Sequence, residues 1–115
     1  MVQETKGKQD ELLNQYLKKD DLYQKELDNI SVERTKLEQQ AKNMFNNEKT
    51  NIKGATNYEH KFNIIAQEYN NTMNNISKRM DGKEKEARQN AEKRIKERQE
   101  YKDEKKLIHD EHNNK

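Results

Sequence analysis

Histidines and carboxylates are the first side chains in this sequence to weigh for chemistry, because cysteine is absent and only 3 histidines occur. His109-Asp110-Glu111-His112 places two imidazoles at i and i+3, a spacing at which one helix face can share a metal ion. The segment is terminal and no second ligand-bearing stretch accompanies it, so it reads as a solvated helix end. His60 reads as a surface residue. Carboxylates are spread along the chain without a meaningful pair, and acid–base catalysis needs a pocket that perturbs pKa values. The sequence therefore predicts no catalytic, cofactor-binding or metal-ligating residue, and the chain is not expected to be an enzyme. Without cysteine, neither a disulfide nor a thiolate site can staple it.

A Lys/Arg-rich stretch from Lys83 to Lys106 could touch phosphates, but its acids nearly match its bases. Over the whole chain Lys+Arg is 24 against Asp+Glu 22, a net charge of +2 with the signs interspersed. That balance argues for a solvated or partner-facing helix and against a nucleic-acid partner. Only 28% of the 115 residues are apolar and 40% are charged, too lean a mixture to fill a conventional globular core. Proline is absent and there are 3 glycines, so little stands in the way of long helices. No run of 18 apolar residues occurs, and Met1-Val2-Gln3-Glu4-Thr5-Lys6 lacks the apolar stretch of a signal peptide. The expectation is a cytoplasmic protein without membrane insertion, exported if at all without a cleaved signal.

What would position any partner surface is a heptad repeat. In the first half Leu13, Asp20, Leu27, Arg34 and Ala41 form one column, and Tyr16, Tyr23, Ile30, Leu37 and Met44 form its companion. At the chain's apolar content, five apolar residues in one such column would arise by chance with probability roughly 0.002. Leu12, Leu17, Phe45 and Ile52 flank these columns and widen the stripe beyond a two-stranded seam. Asp20 and Arg34 interrupt it, either snorkelling to solvent at a frayed end or setting register against a partner.

Near the midpoint the pattern stops at Asn51-Ile52-Lys53-Gly54-Ala55-Thr56-Asn57. Gly54 can take the left-handed conformation that closes a helix, and Thr56-Asn57-Tyr58-Glu59 matches a capping box. A second repeat follows through Ala66, Met73, Met80, Ala87, Arg94, Tyr101 and Ile108, with Phe62, Tyr69 and Ile76 in the companion column and Tyr58 and Ile65 beside it. The predicted fold is all-α, a long antiparallel helical hairpin of coiled-coil character over residues 1–115. Its first helix covers about 8–51, its turn 52–57 and its second helix about 58–111, with a possible break near Gly82.

From Lys83 onward the companion column reads Lys83, Asn90, Glu97 and Glu104, so the distal helix is expected to bury little. It would lean on spaced pairs such as Glu84 with Arg88 and Glu92 with Lys96. Bulky apolar residues gather toward the turn instead. Leu37, Met44, Phe45, Ile52, Phe62, Ile65, Tyr69, Met73 and Ile76 are the predicted partner interface, with Gly54, Thr56 and Glu59 shaping the turn. A hairpin covers only part of such a surface, so docking on another helical protein is expected. A self-associating structural coiled coil, of phage, cytoskeletal or regulatory type, is the alternative reading.

The arrangement resembles the small helical hairpins of type VII secretion in Gram-positive bacteria, whose superfamily carries Trp-x-Gly at the turn. Ile52-Lys53-Gly54 stands in that place here. It looks more closely like the accessory proteins encoded beside LXG-type toxins, with a polar first helix, a central turn and a Lys/Glu/Arg-dense second helix. Tryptophan is absent, and no Tyr-x-x-x-Asp signal follows the second helix, although Tyr16 and Asp20 have that spacing in the first. The resemblance implies a targeting or chaperone partner of a toxin's helical domain, with a second small hairpin protein supplying the missing signal.

Overall fold

Four helices follow one another in the computed structural model, which describes the backbone of residues 2–113 and the side chains of residues 5–111. They are α1, Val2–Lys19; α2, Asp21–Asn51; α3, Tyr58–Glu97; and α4, Gln99–Asn113. The fold is an all-α helical hairpin. No helix among the described residues is long and apolar enough to cross a membrane.

The turn between α2 and α3 is set by backbone chemistry. As α2 runs out, Lys53 N–H bonds the Thr50 carbonyl at 3.2 Å and Ala55 N–H bonds the Ile52 carbonyl at 2.9 Å. Between them Gly54 sits at φ 85°, a left-handed conformation that a Cβ would strain. The opening of α3 differs from the predicted capping box. Asn57 rather than Thr56 takes the cap position, its carbonyl accepting the Lys61 N–H at 3.0 Å. With the helix starting one residue later, Glu59 falls at its second position rather than its third. Thr56 and Glu59 are both exposed and the reciprocal box bonds are not made.

α3 passes through Gly82 without interruption. A lone glycine in a helix costs only about 1 kcal/mol, and Met80 beside it is wholly buried. The interruptions fall elsewhere, at Asp20 between α1 and α2 and at Arg98 between α3 and α4. Neither is marked by glycine or proline.

By its contacts the chain divides into a terminal unit, Met1–Asp28 with Lys85–Lys115, and a turn unit, Asn29–Glu84. In the terminal unit α1 packs against α4. Leu12, Leu17, Tyr23, Ala87, Ala91, Ile95 and Tyr101 are buried there, with Ala91 and Ile95 at 0% exposure. This overturns the expectation that the distal helix buries little. Ala87 and Ala91 are closed off from solvent on the same helix as Ile95, and Tyr16 meets Tyr101 edge-on with ring centroids 5.4 Å apart. Leu12 and Leu17 are buried while Leu13 is half-exposed, because a 3.6-residue helix drifts off a seven-residue column. The predicted Glu84–Arg88 and Glu92–Lys96 pairs do not form: Arg88 bonds Glu92 at 2.9 Å and Asn14 at 3.2 Å.

The turn unit is looser. Ile30, Ile65 and Met80 are buried, while most of the other seam residues are half-buried. Its far end from the turn is held by ion pairs. Glu33 meets Lys83 at 2.8 Å, and Arg34 bridges Asp81 at 2.8 Å and Glu84 at 3.2 Å. Arg34 is therefore engaged within the chain, not snorkelling to solvent or held for a partner. The bond from Lys83 pulls the Glu33 carboxyl below its usual pKa, and Asp81 first, then Glu84, raises that of Arg34.

Candidate partner interface

Four side chains line a shallow cleft of about 70 Å³ in the turn unit together with four residues predicted for the interface. The predicted ones are Met44, Phe45, Ile65 and Tyr69; the others are Ala41, Glu48, Glu68 and Thr72. Heptad spacing on α2 and α3 puts them on facing stripes, and ring contacts fix the floor. Phe45 stacks on Tyr69 at 4.8 Å and meets Phe62 at 6.1 Å, and Tyr58 stacks on Phe62 at 5.9 Å. Lys49 lies over the Phe45 ring at 5.2 Å from its centroid.

Of the predicted interface, Ile65 is buried in the unit's own packing. Leu37, Phe45, Ile52, Phe62, Tyr69, Met73 and Ile76 are half-buried, so each contributes to the hairpin before it contributes to any partner. Met44 is the exception at 64% exposure. Val32, Tyr58 and Ile64 are also exposed apolar residues of this unit, outside the cleft. Sequence columns do not separate Met44 from Leu37, since both occupy the same seven-residue position. His60 is exposed, His109 is exposed on α4, and the His112 side chain lies outside the described residues.

The charged cluster that sequence reasoning misplaced is centred on Asp20, which is 3% exposed rather than solvated. Its backbone N–H closes α1 onto the Leu17 carbonyl at 3.2 Å, and its carbonyl accepts the Gln24 N–H at 3.0 Å. Its Oδ1 accepts the Tyr23 N–H at 2.8 Å, so Asp20 is the N-cap of α2. Gln24 Nε2 donates to the Leu17 carbonyl at 3.1 Å, satisfying an acceptor the break leaves open. Arg94 Nη2 reaches Oδ1 at 3.2 Å and Arg98 Nη2 reaches Oδ2 at 3.3 Å.

Arg98 is itself the break between α3 and α4, its N–H on the Ile95 carbonyl and its carbonyl accepting from Lys102. The two interruptions of the terminal unit are thus tied to each other by an ion pair. Burial alone would raise the Asp20 pKa, but the Tyr23 amide, Arg94 and Arg98 outweigh it and hold the carboxyl below the ordinary range. Burial, then the bond its hydroxyl donates to Glu104 Oε1 at 2.9 Å, pushes Tyr16 up to about 12. Burial first, then the charges of Asp10 and Glu92, raises Tyr101 as well. Among the described residues no buried polar side-chain atom lacks a partner.

Compared with protein-family models, curated proteins and solved structures, the chain finds no match.

Proposed function

We propose that this chain is a non-catalytic helical binding protein that docks on another helical protein through its turn unit. The observation that carries the reading is the cleft between α2 and α3, where an aromatic floor and the exposed Met44 remain after the unit has made its own contacts. An apolar face that its own fold leaves open marks a site of association. The hairpin pattern and Ile52-Lys53-Gly54 at the turn extend the reading: the partner is the helical domain of a type VII secreted LXG-type toxin. The chain then acts as a targeting or chaperone partner in the cytoplasm, covering apolar surface and leaving with the toxin without a cleaved signal. A second small hairpin protein supplies the Tyr-x-x-x-Asp signal.

Co-expression of the full chain with the helical domain of such a toxin tests this. Asp at Phe45 or Ile65 would damage the hairpin as well as the interface, so the informative change is Met44→Asp, with the exposed Val32→Asp as control. Met44→Asp is expected to abolish the complex while leaving stability within about 0.5 kcal/mol, and Val32→Asp to leave both intact. A complex that survives Met44→Asp contradicts the assignment. A purified chain that light scattering finds as a stable homodimer, with Met44 covered, replaces it with the self-associating coiled coil.

A further inference from the structure

The same cleft carries charge that the hairpin does not use. Glu48 and Glu68 both line it, and among the described residues neither makes an ion pair; Glu33, Asp81 and Glu84 of the same unit are paired, and Glu38 and Glu59, also without an ion pair, lie outside the cleft. The lining contains no cation; Lys49 sits outside it, over Phe45. The cleft therefore combines an aromatic and aliphatic floor, from Phe45, Tyr69, Ile65 and Ala41, with two carboxylates and a volume of about 70 Å³, room for one side chain.

Resting on the docking role proposed above, we propose that this cleft takes an arginine or lysine side chain presented by the partner's helix. Such side chains are apolar along their stems and cationic at their tips. The methylenes lie against Phe45, Tyr69 and Met44, and the cation is met by Glu48 and Glu68. A purely aliphatic side chain would fill the floor but leave both carboxylates beside desolvated surface without a counter-charge, and an acidic one would meet like charge. The occupant is thus an amphipathic helix with a basic residue at the centre of its contact stripe. Burial supplies the affinity and the carboxylates select the residue type.

The test uses the full-length chain, methyl-labelled at methionine, titrated with three synthetic amphipathic helical peptides. The peptides are identical except for arginine, methionine or glutamate at the central position. The arginine peptide is expected to shift the Met44 methyl signal and to bind roughly tenfold tighter than the glutamate peptide at low salt, the gap narrowing as salt is raised. Glu48→Gln with Glu68→Gln, both exposed or half-exposed and away from the packed core, is expected to erase the gap and leave the melting temperature unchanged. Equal binding of all three peptides at Met44, or a gap that survives the double substitution, overturns the basic-residue assignment while leaving the docking role standing. Absence of any Met44 shift with all three peptides overturns both.

Discussion

The terminal and turn units are built from the same helical hairpin plan and differ in what each leaves over. In the terminal unit Ala87, Ala91, Ile95 and Tyr101 are closed off, and the one buried charge among the described residues is bonded on both oxygens. Nothing apolar of size remains outside except Leu22 and Leu107 among the described residues. The turn unit is richer in large apolar side chains, yet its rings are half-buried and Met44, Ile64, Val32 and Tyr58 stay exposed. The residues that look strongest on hydrophobicity thus make the more open half, and the lean half makes the tighter core.

Ile95→Ala should show this contrast most strongly. Removing a fully buried side chain from the terminal unit is expected to cost about 3 kcal/mol in urea unfolding followed by circular dichroism, against less than about 0.5 kcal/mol for Met44→Ala. Equal costs would erase the distinction between the units.

Next in size comes the Asp20 cluster, where the two sides of the ion pair are unequal. Asp20 is buried, while the Arg94 and Arg98 side chains are 33% and 50% exposed. Replacing both arginines with methionine strands a buried carboxylate and is expected to cost about 2 kcal/mol. Asp20→Asn keeps an acceptor for the Tyr23 amide and releases the arginines to water, a loss of about 1 kcal/mol, discounted because the cations are solvent-screened. The reverse order of costs would show that the arginines do not hold the Asp20 charge.

Two glycines of the turn unit give smaller effects of opposite sign. Gly54→Ala forces a Cβ into the left-handed region and should lose about 1 kcal/mol, whereas Gly82→Ala, with open space for the new methyl in a continuous helix, should gain about 0.5–1 kcal/mol. Melting curves of the two variants check both signs.

Smallest are two pH effects, those of Asp20 and Tyr16 in the terminal unit. Because folding lowers the Asp20 pKa, its contribution is present above the unfolded value of about 4 and is lost as pH falls through the folded one. Tyr16 is raised to about 12, so its contribution is complete below the ordinary value of about 10 and disappears as pH climbs toward 12. Asp20→Asn should flatten the acid limb of the melting temperature and Tyr16→Phe the alkaline one. Unchanged limbs would remove these groups from the account.

Helix, turn and period were all legible in the residues, because the Tyr16 to Met44 column and Gly54 report directly on helical spacing and on a left-handed closure. The breaks were not. A polar residue in an apolar column reads the same whether it faces solvent or caps a broken helix, and what decides for Asp20 is the pair of arginines 74 and 78 positions away. Ala87 and Ala91 were misjudged for a related reason: hydrophobicity scores them low, while the value of a small side chain lies in how near it lets another helix come. The cleft was half legible. Its aromatic floor follows from spacing, but the exposure of Met44 depends on which edge of the stripe faces the neighbouring helix.

Amide hydrogen exchange on the free chain tests most directly whether the terminal unit is the closed core and the turn unit the more open half. Protection is predicted to be strongest around Leu12–Leu17 and Ala87–Ile95 and weaker through residues 41–48 and 62–72, beside the cleft. The opposite ranking, with the turn unit exchanging most slowly, would contradict it.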